Sequence, residues 1–126
     1  MPQPKLTKLE HKIMEALWRR GASSIREIME DVPPKKRLAY TTVQTVLYRL
    51  EAKNAVRRTK KVGNAHIFEP VITRTAAQRT LIDELLGLFG GSAQPLMSHL
   101  IQTGKLTLQD IEEARKALRE ISDDKE

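Results

Sequence analysis

The sequence contains no cysteine and few aromatic residues. Without cysteine, disulfide bridges, thiolate metal sites and thiol catalysis are excluded for these 126 residues. One Trp, two Tyr and two Phe leave a core that must be built mainly from aliphatic side chains. No apolar stretch reaches the roughly 18 residues of a membrane-spanning helix, and no signal-peptide pattern occurs, which predicts a cytoplasmic protein.

The residue patterns of enzymes and metal sites are also missing. His11, His66 and His99 are widely separated and have no acidic residue at ligand spacing, so we predict no metal site and no cofactor. The serines lie in no nucleophile-elbow pattern, and Gly90-Gly91 lacks the lysine and the spacing of a phosphate-binding loop. We therefore predict that the chain is not an enzyme.

The charge is distributed unevenly along the chain. Residues 1–71 contain 15 Lys and Arg against 7 Asp and Glu, a net charge of +8. Residues 72–126 contain 7 against 9, a net charge of −2. The basic part predicts a polyanionic partner, and the nearly neutral part predicts contact with protein or water. We therefore predict two domains, residues 1–71 and residues 72–126.

Local signals predict two helices near the start of the chain. Capping boxes at 7–10 and 24–27 can each satisfy end amides of a helix through a hydroxyl and a carboxylate. The first helix is expected to end near Gly21, and the second to stop before Pro33. Residues 22–23 between them are expected to add a short strand to a sheet.

A third helix is predicted over residues 39–50. Val43, Val46, Leu47 and Leu50 follow the i, i+3, i+4, i+7 pattern of a core-facing stripe. The opposite side carries uncharged or basic hydrogen-bonding groups, with no carboxylate before residue 51. Phosphates repel carboxylates, so this composition favours a surface that enters a DNA groove.

A basic hairpin follows that helix. Residues 56–61 and 65–69 read as two strands joined by a Gly63-Asn64 turn, with four cations on the first strand. Strict alternation would place Arg57, Thr59 and Lys61 on one face and Arg58 and Lys60 on the other, so we expect two phosphate contacts from the hairpin. A polar-faced helix followed by a basic hairpin is the layout of a winged-helix DNA-binding domain.

The chain after Pro70 predicts three further amphipathic helices. They cover residues 76–89, 95–101 and 107–121, with glycines at 90–91 and 104 between them. About 50 residues bury too little surface to be stable alone, and a two-fold homodimer is the simplest remedy. The predicted fold class is thus mainly α with a small antiparallel β wing: a winged helix-turn-helix plus a C-terminal helical dimerisation domain. The predicted dimerisation residues are Leu81, Leu85, Leu86, Phe89, Leu96, Leu100, Ile111 and Leu118.

Several residues of the predicted DNA-binding surface suit two alternative roles. Gln44 is suited to adenine, and Arg49 to guanine or a phosphate. Thr41 suits DNA contact or a helix N-cap, and Tyr48 suits a phosphate contact or packing against the wing. Residues 35–37 are basic and lie either against DNA or in solvent. The predicted DNA-binding residues are Thr41, Thr42, Gln44, Thr45, Tyr48, Arg49, Arg57, Arg58, Lys60 and Lys61.

Three segments carry a resemblance to a known family. Residues 9–18, the string AYTTVQTVLYRL at 39–50 and the string GNAHIFEP at 63–70 resemble the penicillinase-repressor (BlaI/MecI-type) family of bacterial regulators. The resemblance covers residues 7 to about 122. It implies a sequence-specific transcriptional repressor that binds palindromic operators as a homodimer and controls β-lactamase or other stress-response genes.

The resemblance also raises the question of how the repressor is released. Copper-responsive members of the wider family carry a cysteine-rich C-terminal tail, and this chain has no cysteine. Antibiotic-responsive members are released by proteolysis of the dimerisation domain, which implies a membrane sensor protease as a partner. The best-known members are cleaved at an Asn-Phe pair, and the comparable residues 96–103 contain no such pair.

A different class of function remains as the alternative. A non-specific architectural DNA-binding protein, or an RNA-binding winged-helix module, would also have a basic head. An architectural protein would show little sequence preference and a steep salt dependence. An RNA-binding module would more often expose aromatic residues for stacking, and only Tyr40 and Tyr48 are candidates.

Overall fold

The computed structural model describes residues 4–32 and 37–124. Two compact units divide the chain at Glu84/Leu85. The elements, in chain order, are α1 (Lys8–Arg20), α2 (Ile25–Asp31), α3 (Tyr40–Ala52), β1 (Val56–Val62), β2 (Ala65–Pro70), α4 (Arg74–Leu88), α5 (Gln94–Gln102) and α6 (Leu108–Asp124). The predicted fold class, mainly helical with a small antiparallel sheet, is confirmed.

The first two helices begin at the predicted capping boxes. The Thr7 hydroxyl accepts from the Glu10 amide at 3.2 Å, while the Glu10 carboxylate accepts from the Thr7 amide at 2.8 Å. Ser24 and Glu27 make the same reciprocal pair at 3.3 and 2.9 Å. Each box satisfies two amides that the helix itself leaves free, which fixes the start of the helix. Gly21 ends α1 with φ 86°, a conformation that suits glycine.

The core of the first unit lies between α1, α2, α3 and the sheet. Leu17, Ile28, Leu47 and Leu50 are fully buried in it, and Phe68 from β2 is 1% exposed. The predicted core stripe of the third helix is therefore confirmed. Burying large aliphatic side chains stabilises by about 1.5–3 kcal/mol each, so this stripe fixes which side of α3 faces solvent.

The sheet has two antiparallel strands and one added bridge. The amide and carbonyl of Ser23 bond the carbonyl and amide of Phe68 at 2.9 and 2.8 Å. In place of the expected third strand at residues 22–23, the structure has a single bridge at Ser23.

A β-bulge in β1 overturns the predicted alternation of the wing cations. Arg58 pairs with Phe68 and Lys60 pairs with Ile67, so Thr59 is an extra residue without a partner. Cross-strand partners share a face, so Arg58 and Lys61 lie on the Phe68 face. Arg57 and Lys60 lie on the Ile67 face. The expectation that Arg57 and Lys61 share one face, and Arg58 and Lys60 the other, is wrong.

The start of α4 belongs to the first unit and packs on its core. Trp18 Nε1 donates to the Ile72 carbonyl at 3.0 Å, Ile72 packs on the core, and Ala77 is buried. The predicted division into domains 1–71 and 72–126 stays a prediction, because a compact unit does not show which segment folds independently.

The second unit contains α5 and α6, and its helix ends match the sequence signals. Gly91 at φ 85° follows α4, and its amide bonds the Leu86 carbonyl at 2.8 Å. Thr107 and Asp110 form a third reciprocal cap at the start of α6. Among residues 85–123 none is buried; Leu86, Leu96, Leu100 and Leu106 are half-buried and the rest are exposed.

Candidate nucleic-acid interface

The exposed side of α3 carries an outer row without a carboxylate. Thr41, Thr45 and Arg49 follow i, i+4, i+8 spacing, and all three are exposed. The Thr45 hydroxyl donates to the Thr41 carbonyl at 2.9 Å. Thr42, at the edge of this row, is half-buried. The row presents hydroxyl, methyl and guanidinium groups, which are groups that contact base edges and phosphates.

The N-terminus of α3 resolves the alternative role of Thr41. The helix begins at Tyr40, and Ala39 is the N-cap residue without a side-chain cap bond. Thr41 lies inside the first turn and is not an N-cap, so its exposed hydroxyl is not committed to capping.

A second row of α3 faces the wing. Gln44, Tyr48 and Glu51 follow i, i+4, i+7 spacing along one side of the helix. Gln44 Nε2 donates to the Tyr48 hydroxyl at 2.9 Å. Glu51 accepts from Arg58 Nε at 2.8 Å and from Arg58 Nη2 at 3.2 Å. Hydrogen bonding to Glu51 raises the pKa of Arg58, so this guanidinium stays charged. Arg58 Cζ lies 5.1 Å from the ring centroid of Tyr48, so Tyr48 contacts the wing, which is one of the two roles left open for it.

The wing cations fall into two groups. Arg57 forms an ion pair with Glu69 on β2, and Arg58 forms the bidentate pair with Glu51 on α3. Lys60 and Lys61 are exposed, and neither belongs to any ion pair formed between described residues. Two of the four cations thus have a carboxylate partner, and two present their charge to solvent.

A groove of about 440 Å³ lies between α3 and the wing. The start of α2 closes one end, where Arg26 contributes an exposed cation. Tyr40 and Gln44 line the α3 side, and His66 and Phe68 line the wing side. The groove is open to solvent and combines aromatic, amide and cationic groups, as a surface for a sugar-phosphate backbone requires.

The end of α3 is joined to the start of α1 by an ion pair. Lys53, the C-cap residue of α3, donates from Nζ to Glu10 Oε1 at 2.6 Å and to the Lys5 carbonyl at 2.8 Å. Burial acts to raise the pKa of Glu10, but the bonds from Lys53 and Thr7 outweigh it, so its pKa is lowered. Glu10 is 1% exposed, so its ion pair with Lys53 is largely shielded from water and fixes the end of α3 against the start of α1.

The remaining predicted site residues lie as follows. Lys35 and Lys36 fall outside the described residues, and Arg37 is exposed. Among the predicted dimerisation residues, Leu81, Leu85, Phe89, Ile111 and Leu118 are 36–65% exposed. Leu86, Leu96 and Leu100 are half-buried.

Sequence reasoning missed Glu51 and Lys53 as parts of this site. In the sequence, Glu51 is only the first carboxylate after the polar face, and no local pattern marks Lys53. Both act through tertiary contacts, Glu51 with a residue beyond the turn and Lys53 with a residue 43 positions away. The one available signal was a lone acidic residue seven positions before Arg58 in a basic segment.

The described residues form neither a metal site nor a membrane-spanning helix. No group of three or more His, Cys, Asp or Glu residues is placed to hold a metal ion. Within the same part of the chain, no helix is both long and apolar enough to cross a membrane.

Comparisons with known proteins match nearly the whole chain. The family described as "Penicillinase repressor" matches residues 6–120. A transcriptional regulator named BlaI from Mycobacterium tuberculosis is 32% identical over 120 residues, which cover 93% of this chain and 85% of that protein. A penicillinase repressor from Staphylococcus aureus is 24% identical over 95% of each chain. These matches confirm the resemblance seen in the sequence and the prediction that the chain is not an enzyme.

One solved structure supports the fold. A MarR family protein from Bacillus stearothermophilus superimposes with a TM-score of 0.50 at 17% identity, covering 94% of this chain and 74% of that one. Together with the order of the elements, this likeness confirms the winged-helix arrangement.

Proposed function

This chain belongs to the penicillinase-repressor family of transcriptional repressors, and on that premise we propose that it binds palindromic operators as a homodimer. The observation that carries the proposal is the outer row of α3: exposed Thr41, Thr45 and Arg49, without a carboxylate, beside a basic wing. An α-helix fits the major groove, where each base pair presents a distinct set of donors, acceptors and methyl groups.

The two rows of α3 take different roles in this proposal. Thr41, Thr45 and Arg49 contact bases and adjacent phosphates, and Thr42 supports the edge of the contact. Gln44 keeps its carbonyl oxygen as an acceptor, since its amide nitrogen donates to Tyr48. Base contacts of this kind set sequence preference, whereas phosphate contacts set position along the duplex.

The wing supplies the phosphate contacts. Lys60 and Lys61 lie on opposite faces of the hairpin and project exposed ammonium groups. Arg57 is paired with Glu69 and Arg58 with Glu51. These ion pairs neutralise much of the charge of the two arginines, so their main contribution is to the shape of the wing. Each phosphate neutralised releases counterions, which makes binding strongly salt-dependent.

Dimerisation through residues 72–126 completes the proposal. None of residues 85–123 is buried, although α6 presents Leu108, Leu118 and Ile121 with 54–75% exposure. An isolated segment with so little burial gains too little free energy to offset the entropy of ordering its helices. A second copy would cover these side chains by two-fold symmetry. It would also set the two α3 helices, the recognition helices of the dimer, about one turn of DNA, roughly 34 Å, apart.

Repression then follows from competition between the dimer and polymerase at an overlapping promoter in the cytoplasm. Release requires loss of the dimer, because a monomer loses the linked second half-site and its affinity falls by about 10²-fold or more. Cleavage within residues 72–126 by a membrane sensor protease would have this effect on β-lactamase or other stress-response genes.

Selection of random duplex DNA on the purified protein tests the proposal, with binding repeated at two salt concentrations. We expect enrichment of a two-fold symmetric site with half-sites about 10 base pairs apart. Protein carrying Arg49→Ala provides the matched control, since it should lose the enrichment and keep salt-dependent binding. A wild-type protein that enriches no site, with affinity collapsing as salt rises, would instead be a non-specific architectural protein.

A further inference from the structure

The Arg58 side chain lies at the centre of the contact between the wing and α3. Its guanidinium makes two hydrogen bonds to the Glu51 carboxylate, at 2.8 and 3.2 Å. Its Cζ atom lies 5.1 Å from the ring centroid of Tyr48 and 5.4 Å from that of Phe68. Three residues from α3 and β2 thus surround one cation on β1.

These contacts occupy one pair of donors through which a guanidinium recognises phosphate. The Glu51 carboxylate accepts from Nε and Nη2 along one edge of the guanidinium, and aromatic rings within about 6 Å attract the cation through their π faces. The Arg58 side chain is 35% exposed, and its partner Glu51 is 34% exposed. Lys60, two residues further along β1, is exposed and has no such partner among the described residues.

The register of β1 just before the bulge at Thr59 places Arg58 for these contacts. It leaves Arg58 opposite Phe68, on the face of the wing that bears on α3. The network then continues along α3, because Tyr48 accepts from the Gln44 amide at 2.9 Å. A continuous series of contacts therefore runs from Gln44 on the recognition helix to the base of the wing.

We propose that Arg58 is a positioning residue, which holds the wing at a fixed angle to the recognition helix through Glu51, Tyr48 and Phe68. The proposal rests on the proposed DNA-binding function and assigns the phosphate contacts of the wing to Lys60 and Lys61. Fixing the wing in advance reduces the ordering entropy that binding would otherwise cost.

The salt dependence of binding separates a positioning role from a phosphate contact. Wild-type protein, Arg58→Ala and Lys60→Ala are titrated with a short duplex of mixed sequence and with the site enriched by selection, over a series of salt concentrations. The slope of log K against log[salt] is negative, and loss of one phosphate contact reduces its magnitude by about 0.9. We expect that decrease for Lys60→Ala, whereas Arg58→Ala should bind the selected site about fivefold more weakly with the wild-type slope. A slope reduced by about 0.9 in Arg58→Ala, or an unchanged affinity, would overturn the positioning role.

Arg58→Lys keeps the test decisive if the alanine variant does not fold. Lysine retains the positive charge for a phosphate but cannot form the planar fork or the stacked contact. We expect it to lose affinity for the selected site as Arg58→Ala does, and affinity equal to wild type would contradict the proposal. Wild-type protein that binds neither duplex would overturn the DNA-binding function itself. Wild-type binding with a reduced slope in Arg58→Ala would overturn only the inference about Arg58.

Discussion

Replacement of Lys53 by methionine should destabilise the first unit by removing the partner of a buried carboxylate. Glu10 is 1% exposed, and it accepts from Lys53 Nζ at 2.6 Å. Methionine has nearly the same length but no charge, so the change leaves the Glu10 carboxylate with only its bond from the Thr7 amide. Glu10 Oε2 already has no partner among the described residues, so little remains to compensate the loss.

The expected loss in the free energy of unfolding depends on how deeply Glu10 and Lys53 are buried. Breaking a fully buried ion pair costs about 3–5 kcal/mol, and a hydrogen bond to a charged group contributes about 1.5–3 kcal/mol. The Lys53 side chain is 35% exposed, so solvent screens the pair and the smaller range applies. We expect a loss of about 2 kcal/mol in the free energy of unfolding, or a decrease of roughly 8–16 °C in Tm for a unit of this size.

The pH dependence gives this prediction a specific sign. The pKa of Glu10 is lowered below its ordinary value of 4.5, so its stabilising contribution is complete above pH 4.5. That contribution is lost as the pH falls through the lowered pKa of the folded state. The difference in stability between wild type and Lys53→Met should therefore be largest near neutral pH and shrink below pH 4.5.

Urea denaturation followed by circular dichroism measures the effect at neutral and acidic pH. Lys60→Met is the matched control, because it removes an exposed lysine without an ion pair between described residues and should change stability by less than about 0.5 kcal/mol. If Lys53→Met unfolds at the same urea concentration as this control, or if the difference grows on acidification, the reasoning about Glu10 is refuted.

Three further predictions concern the cap, the recognition helix and the second unit. Thr7→Ala removes the hydroxyl of a reciprocal cap and should cost about 1 kcal/mol in urea denaturation; Thr7→Ser should retain most of the stability. Arg49→Ala should weaken binding to the selected site by about 1–3 kcal/mol more than binding to mixed-sequence DNA in fluorescence titrations. Equal losses on both duplexes would assign it to the backbone alone. Leu118→Asp places a charge on a 65% exposed apolar position and should give monomers in analytical ultracentrifugation, whereas Gln109→Asp should remain dimeric. A dimeric Leu118→Asp protein would remove that residue from the interface.

Features set by neighbouring residues were predictable from the sequence. The reciprocal pairs of Thr7 with Glu10 and Ser24 with Glu27 need only a three-residue spacing, and the structure contains both. The core stripe of α3 was equally accessible, since it follows from helical periodicity.

Features set by pairing between elements were not predictable in the same way. The bulge at Thr59 depends on the register of β1 against β2, where Ile67 and Phe68 are adjacent and both buried. Alternation along β1 alone cannot reveal it, so the faces of the wing cations were assigned wrongly. The contact of Glu51 with Arg58 likewise crosses the turn between α3 and β1. The candidate site residues could be named from the sequence by type and position, but the contacts on which their proposed base, phosphate and positioning roles rest become visible only in the structure.

The extra residue at Thr59 uncouples the faces of the wing cations from their spacing in the sequence. Deleting Thr59 would leave Arg58 opposite Phe68 and Lys60 opposite Ile67, so every basic residue would keep its face of the hairpin although the strand became one residue shorter. A wing without this residue would therefore present the same charges on the same faces. A sequence alignment that pairs such a wing with this one without a gap at Thr59 would equate side chains that lie on opposite faces.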